Sequence, residues 1–473
     1  MCKAGRLHKR DYLRASIFAF AMLPCALHAD SPSQVVEHAL LHNLEIASAQ
    51  ASMQASSFDK SISITEFLPE ISASANTSWN ESNTKNEPGP DIENQYNENG
   101  YRLTLTQTLI DLGRLFRFSQ ANKDYGIERL KYEQTRQDII SKTISSYIEV
   151  LKLYARKHTT DLERESSEAQ VEQLRKNVEA GNTARSSLYE AQAKLSRVLS
   201  SLVDLETRIS VALQRLSKDS GYRAWPSFDI QPDMEIRSID ATMESIYLDQ
   251  LQAQNFDVLI ARENLDKRKS SLNEKRSSFA PTVTADINYS FTDTNNASAN
   301  APPATGESDS TSYRLSVNLP LFKGGERFFD IGKAKHLTDK SQIDLDNALQ
   351  DASLELQELV LNINAGANRV EILKTSIVAN YESYRGQKRA YELGTRTLSD
   401  LLSAEQLLYD SVRDYFDTKY DYVNDLIELR ALLGTLSQEV IDTISGKMIE
   451  RNPRERRSNL EDLLATIAPG DAL

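Results

Sequence analysis

Val283-Thr284-Ala285-Asp286-Ile287-Asn288-Tyr289-Ser290-Phe291-Thr292 alternates apolar with polar side chains along its whole length. Successive side chains of a strand point to opposite faces, so this run writes a sheet with one apolar and one polar side. The pattern also stands 212 positions earlier, where Ile71, Ala73, Ala75, Thr77 and Trp79 alternate with Ser72, Ser74, Asn76, Ser78 and Asn80. A second run follows each: Tyr101, Leu103, Leu105 and Leu109 with Arg102, Thr104, Thr106 and Thr108, then Tyr313, Leu315, Val317, Leu319 and Leu321 with Arg314, Ser316, Asn318 and Pro320. Strands are therefore expected at 71–80, 101–110, 283–292 and 313–322. About ten residues is the length of a tilted strand crossing a bilayer. A strand pair lying on a soluble core gives the same alternation. Two features favour the membrane: the joining segments 81–100 and 293–312 are long and polar, and the aromatics Trp79, Tyr101, Phe291 and Tyr313 flank them as an interfacial girdle would.

The 212-residue offset extends beyond the strands. Asn43-Leu44-Glu45-Ile46 recurs as Asn255-Phe256-Asp257-Val258, Phe67-Leu68-Pro69 as Phe279-Ala280-Pro281, and Gly113 as Gly325. Gly181 and Leu188 answer to Gly394 and Leu401 at 213, so one residue has been inserted. A period this long marks a duplicated structural unit, not a short-repeat solenoid. Each half reads in one order. A helical stretch (33–66, 239–278) stops at Pro69 or Pro281, because a ring nitrogen cannot extend the hydrogen-bond ladder. Two strands follow, then a proline-free run (115–178, 326–393), a glycine break and another helix. Ala352, Leu356, Leu359, Ile363, Gly366 and Val370 step by threes and fours, as do Ile140, Ile144, Tyr147, Leu151 and Tyr154. These are coiled-coil seams and belong to the architecture. The halves span 30–225 and 226–440, and a charged tail (441–473) carries Arg451, Arg454, Arg456 and Arg457.

Residues 1–29 read as a secretory signal peptide: Lys3, Arg6, Lys9, Arg10 and Arg14 precede the apolar core Ala15 to Ala26, with cleavage after Ala29. Its removal takes away both cysteines, Cys2 and Cys25, and excludes disulfides and thiolate metal sites. It also removes those five basic residues and Asp11, taking the formal charge from −13 to −17, which argues against nucleic acid as a partner. Only 17 glycines and 13 prolines in 473 residues favour long uninterrupted helices. Beyond the leader the histidines are His38, His42, His158 and His336, and neither His-Glu-x-x-His nor Gly-x-Ser-x-Gly occurs. No enzyme activity, catalytic residue, cofactor or metal is expected.

A lone strand pair cannot sit in hydrocarbon, because its edge amides and carbonyls would lack partners. Membrane barrels begin at about eight strands. One chain offers four, so closure needs at least two chains, and three would give twelve strands. The helices leave the end opposite the polar loops, and a barrel continuing into a helical sleeve encloses a passage. The competing reading is a structural or adhesive envelope coiled coil without a pore.

The segment Leu393-Gly394-Thr395-Arg396-Thr397-Leu398-Ser399-Asp400-Leu401-Leu402-Ser403-Ala404, with Ala431-Leu432-Leu433-Gly434-Thr435-Leu436 and Leu319-Pro320-Leu321-Phe322-Lys323-Gly324-Gly325, resembles the TolC-like outer-membrane channel family over about residues 31–440. That resemblance implies a mainly α fold with membrane β: two tandem repeats, and a homotrimer whose twelve-stranded barrel in the outer-membrane lipid continues into a periplasmic α-helical barrel. It implies a passive duct for type I protein secretion or small-molecule efflux. The implied partners are a periplasmic adaptor (membrane fusion) protein and an inner-membrane transporter, with an ABC exporter expected. Adaptor contact is implied at Gly181, Asn182, Thr183, Gly394 and Thr395. Asp400 matches the first aspartate of the family's periplasmic gate, whereas Ser403 stands where the second is expected. Tyr391 and Arg396 match residues that hold the entrance closed. Ser187, with Ser186 beside it, replaces their acidic partner, for which Glu190 could substitute.

Overall fold

The computed structural model describes residues 30–85, 88–231, 234–296, 303–450 and 460–467. The expected leader and the basic run 451–457 lie outside the described residues. The first repeat comprises α1 (Pro32–His42), α2 (Leu44–Thr65), β1 (Glu70–Thr84), β2 (Ile92–Ile110), α3 (Leu112–Glu179) and α4 (Arg185–Ser220). A short β3 (Phe228–Ile230) lies in the link. The second repeat comprises α5 (Ala241–Gln254), α6 (Phe256–Ser277), β4 (Thr282–Asn296), β5 (Gly306–Asn318), α7 (Glu326–Glu392) and α8 (Leu398–Leu432). The tail adds α9 (Gln438–Ser445), β6 (Met448–Glu450) and α10 (Leu460–Ile467).

The single helices expected at 33–66 and 239–278 are each two, broken at Asn43 and Asn255. Both asparagines have extended backbones, φ −71°, ψ 129° and φ −62°, ψ 128°. Each caps the helix that follows: Asn43 Oδ1 accepts from the Glu45 N–H at 2.8 Å, and Asn255 Oδ1 from the Val258 N–H at 3.0 Å. Their amide nitrogens reach the far end of the same repeat. Asn43 Nδ2 donates to the Asp219 carbonyl at 3.1 Å and Asn255 Nδ2 to the Leu432 carbonyl at 2.9 Å. One duplicated side chain thus satisfies an orphan amide at a helix start and a carbonyl near a helix end.

The four long strands form one antiparallel sheet in the order β1-β2-β4-β5. The two repeats therefore join through β2 and β4, leaving β1 and β5 as edges. The strands run farther toward the loops than expected, so the joining segments are residues 85–91 and 297–305 rather than 81–100 and 293–312. At the other end β5 stops at Asn318 instead of reaching 322, since Pro320 has no N–H to give to a ladder. Fifteen residues of β1 at about 3.3 Å each extend about 50 Å, more than a tilted crossing of a hydrocarbon layer about 30 Å thick requires.

Opposed residues share a face. Tyr101 faces Ala75 on one side and Phe291 on the other, Trp79 faces Asn97, and Ile287 faces Tyr313. The four aromatics thus lie on one side of the sheet. Tyr101 and Phe291 stack with ring centroids 5.3 Å apart, whereas Trp79 and Tyr313 lie four residues to either side of that level. Ile71, Trp79, Tyr313, Leu315 and Val317 are exposed on that apolar face. The other face carries Thr104 bonded to Asn288 and Thr106 to Asp286, each at 2.9 Å.

Helices α3 and α7 have 68 and 67 residues, about 100 Å each at about 1.5 Å per residue. Antiparallel to them run α4 and α8. Within the chain α6 bridges α3 and α7, and α8 bridges α7 and α3. Their repeat counterparts α2 and α4 pack chiefly on α3. Around the middle, the link between repeats is pinned by hydroxyls. Tyr422 donates to the Arg237 carbonyl at 2.9 Å and accepts from the Arg237 N–H at 3.0 Å, and Tyr147 accepts from the Phe228 N–H at 3.1 Å. Asn364 Oδ1 accepts from the Ile239 N–H at 2.6 Å.

Gly434 ends α8 with φ +68°, and a β-carbon there would meet the Gln254 carbonyl oxygen at 2.3 Å. Gly181, with φ +75°, faces open space. Gly181→Ala should cost only the left-handed strain of about 1–2 kcal/mol. Gly434→Ala should cost clearly more, because backbone must also move. Thermal unfolding of the two variants side by side checks the ranking.

Candidate functional site

The far ends of both hairpins are built alike. α3 ends in a Schellman turn: Asn182 N–H donates to the Asn177 carbonyl at 2.8 Å and Gly181 N–H to Val178 at 3.0 Å. At the second tip Thr395 N–H donates to Ala390 at 2.9 Å and Gly394 N–H to Tyr391 at 2.9 Å. Gly394 has φ +74°, which only glycine adopts without strain. Gly181, Asn182, Gly394 and Thr395 are exposed and Thr183 half-buried, so both turns present backbone outward.

The outgoing helices differ. α4 starts at Ala184, which offers no side-chain cap. α8 starts with a capping box: Asp400 N–H donates to Thr397 Oγ1 at 3.2 Å, while Thr397 N–H and Oγ1 donate to Asp400 Oδ2 at 3.1 and 2.9 Å. These Thr397 bonds, and more weakly the Arg396 charge, hold the Asp400 carboxyl below the usual carboxylate range, so it stays ionised. Ser403 is exposed one turn farther along.

Among the lock candidates the structure gathers only some. Tyr391 packs against an apolar cluster of Val171 and Leu174 of α3, Ala191 of α4, and Leu398 and Leu402 of α8, and burial raises its pKa. The cluster ties the second tip to the first. Arg396, Ser186 and Glu190 are exposed and Ser187 half-buried. Among the described residues no hydrogen bond or ion pair joins Arg396 to Ser186, Ser187 or Glu190.

Sequence reading missed what lies behind this cluster. Glu405 of α8 is 1% exposed and pairs with Lys194 of α4. Ser166 also donates to it, and Gln170 Nε2 does so at 2.9 Å. Burial, with the Glu405 charge second, pushes Tyr384 up to about 12. Farther along the α3–α8 seam, Arg413 reaches Glu163 at 2.8 Å, Arg156 grips Asp417 through Nε at 2.6 Å, and Lys152 meets Asp421 at 2.9 Å. A signal did exist: Glu405 falls in step with Leu401, Leu408 and Val412, and Lys194 with Ala191 and Val198, so each is a charge on an apolar stripe. Between α3, α4 and α8 lies a cleft of about 490 Å³ lined by Arg156, Lys194, Arg197, Arg208 and Arg413 with Glu163, Asp204 and Asp410. Arg413 pairs with Glu163 and Asp410, Arg208 with Asp204, and Lys194 and Arg156 with Glu405 and Asp417 of α8.

Two blocks of the chain, residues 35–221 and 247–435, each match the profile described as outer membrane efflux protein. The chain belongs to that family. Outer membrane efflux proteins lie in the outer membrane, and their members are channels rather than enzymes. Similar proteins include outer membrane protein TolC of Vibrio cholerae, 24% identical over 438 residues covering 92% of this chain and 97% of that one. Alkaline protease secretion protein AprF of Pseudomonas aeruginosa is 21% identical over 75% of this chain and 73% of its own. Among solved structures, the outer membrane protein VceC of Vibrio cholerae superposes with a TM-score of 0.72 at 18% identity, covering 85% of this chain and 96% of that chain. The structural likeness shows the fold.

Two outcomes follow from the charges. Lys194→Met leaves the Glu405 carboxylate buried without its cation and should lower stability by about 3–5 kcal/mol, while Lys194→Met with Glu405→Met should recover most of it. Denaturant unfolding of the single and double variants measures both. Asp425 on α8 is pushed up to about 6, first by burial and then by Glu428 and Asp421. A carboxyl raised in the folded state favours folding while protonated, so stability falls as pH rises from about 4, the unfolded value, through about 6. Asp425→Asn should therefore raise the melting midpoint at about pH 8 and leave it unchanged at about pH 4.

Proposed function

We infer that the protein is the outer-membrane duct of an export system, carrying cargo past the outer membrane without chemistry of its own. The observation that carries this reading is the sheet: four strands with one apolar exposed face and two unpaired edges, continuous with helices about 100 Å long. In hydrocarbon each unpaired edge group costs several kcal/mol, so β5 of one copy must meet β1 of the next. Three copies then give twelve strands around a lumen lined by Ser, Thr and Asn. The helices support the same closure. The counterpart face of α7 is left with Leu354, Leu361 and Ile372 exposed, as are Phe58 and Ile62 of α2 and Val203 of α4. A neighbouring α7 would cover α2 and α4 as α3 covers α6 and α8.

At the helix tips Asp400 is the gate residue, one carboxylate per copy with Ser403 beside it, and it attracts cations while repelling anions. Tyr391 and Arg396 hold the entrance, with Ser186 and Ser187 opposite. The exposed turns at Gly181, Asn182, Thr183, Gly394 and Thr395 are the contacts for a periplasmic adaptor, which hands on cargo from an inner-membrane ABC exporter. The cargo is a secreted protein, a reading supported by the similarity to a protease secretion protein. Trp79, Tyr101, Phe291 and Tyr313 serve as the girdle at the lipid boundary.

Purified protein in planar bilayers should show ion conduction blocked by multivalent cations. Asp400→Ala should weaken that block, and Arg396→Ser should raise single-channel conductance; unchanged block and conductance would remove both residues from the gate. Assembly has its own check, since residues 30–473 lack cysteine. One cysteine stepped along Ala73, Ala75 and Thr77 of β1, paired with Leu315→Cys of β5, should yield a disulfide-linked ladder ending at the trimer for one register. Monomers at every register would sink the barrel.

A further inference from the structure

Within the charged tail, residues 460–467 form a helix. α10 places Leu460, Leu463, Leu464 and Ile467 at i, i+3, i+4 and i+7, a single apolar face. Leu464 is fully buried and Ile467 nearly so. They share one apolar cluster with Leu162 of α3, Ile377 and Tyr381 of α7, and Leu408 and Val412 of α8. The cluster thus joins the helix to the first repeat and to both long helices of the second. The polar edge of α10 carries Glu461 and Asp462. Tyr381 donates its hydroxyl to Glu461 at 3.2 Å, and the Arg385 guanidinium lies 5.5 Å from the centre of the Tyr381 ring. The groove continues past Leu460 as an open cleft of about 620 Å³ rimmed by Arg385, Lys388 and Arg389, with Glu165 and Glu392 among them. Eight residues are too few to hold a helix in water unaided, so docking and folding of α10 are one event.

We propose that this groove is a receptor for an amphipathic helix with an acidic edge, that α10 is its resident ligand in cis, and that the docked helix clamps α7 and α8 to α3. Release of α10 frees the second-repeat hairpin to move against the first. The effect of the clamp on conduction rests on the duct reading above, whereas occupancy of the groove does not.

The test uses the full chain with Cys2 and Cys25 changed to serine and a spin label on Ala465→Cys, an exposed position of α10. The label should show restricted motion. Adding Leu464→Glu should make it several-fold faster. Glu461→Lys, which is exposed and leaves the core intact, should loosen it in part and in a salt-dependent way. A labelled peptide of residues 459–468 should bind the Leu464→Glu channel saturably and the unsubstituted channel far more weakly, because the groove there is filled. A peptide carrying Leu464→Glu should bind neither. A mobile label in the parent, or equal peptide binding to both channels, overturns the receptor. In bilayers Leu464→Glu should raise conductance and the peptide should reverse it; binding without any change in conductance overturns the clamp. Absence of conduction in every channel would instead sink the duct reading while the label and peptide still decide the groove.

Discussion

Every strand amide and carbonyl in hydrocarbon must find a partner within the protein, and this requirement shapes the molecule. One chain satisfies the inner strands β2 and β4 and leaves a ladder open on β1 and on β5. In the proposed barrel the apolar face bearing Leu315 and Val317 would be the outside of the wall and the polar face bearing Thr104 and Asn288 the inside. Duplication supplies half of the solution in the proposed barrel, where the β2–β4 junction inside the chain is the kind of contact that a β5–β1 junction between chains would make.

The helical part repeats that logic with other forces. The duplicated asparagines show how economical it is: Asn43 and Asn255 each start a helix and tie it to the carbonyl near the end of the repeat's last helix. Where the repeats must differ, charges take over. Glu405, Lys194, Ser166 and Gln170 join α8 to α3 and α4 through a carboxylate removed from water, an arrangement that is costly to break by halves. The tips in front of it differ too, since only the second has a capping box, at Thr397 and Asp400.

Much of this was legible in order of residues. The period-two runs, the 212-residue offset and the proline stops fix four strands and long helical hairpins, because strand and helix impose different spacings that one sequence cannot satisfy together. The loop-side strand ends were not legible. Asn94, Tyr96 and Glu98 look like loop residues, yet they pair with β1 because a hairpin in register propagates its ladder as far as backbone allows, whatever the side chains prefer. The break at Asn43 was hidden for a similar reason, as an asparagine inside an apolar period becomes a cap only once a distant carbonyl binds its amide.

The sequence by itself determined the repeat, the sidedness of each strand and the turns at Gly181 and Gly394, since these depend on side-chain alternation and on a backbone angle that few residues adopt. Only the tertiary structure decided which charges meet across the α3–α8 seam, how the link is pinned by Tyr147 and Tyr422, and where α10 lies. The charge pairs of that seam join residues up to 269 positions apart, as Lys152 and Asp421 are. Their partners are selected by the packing of whole helices, and no local spacing encodes it.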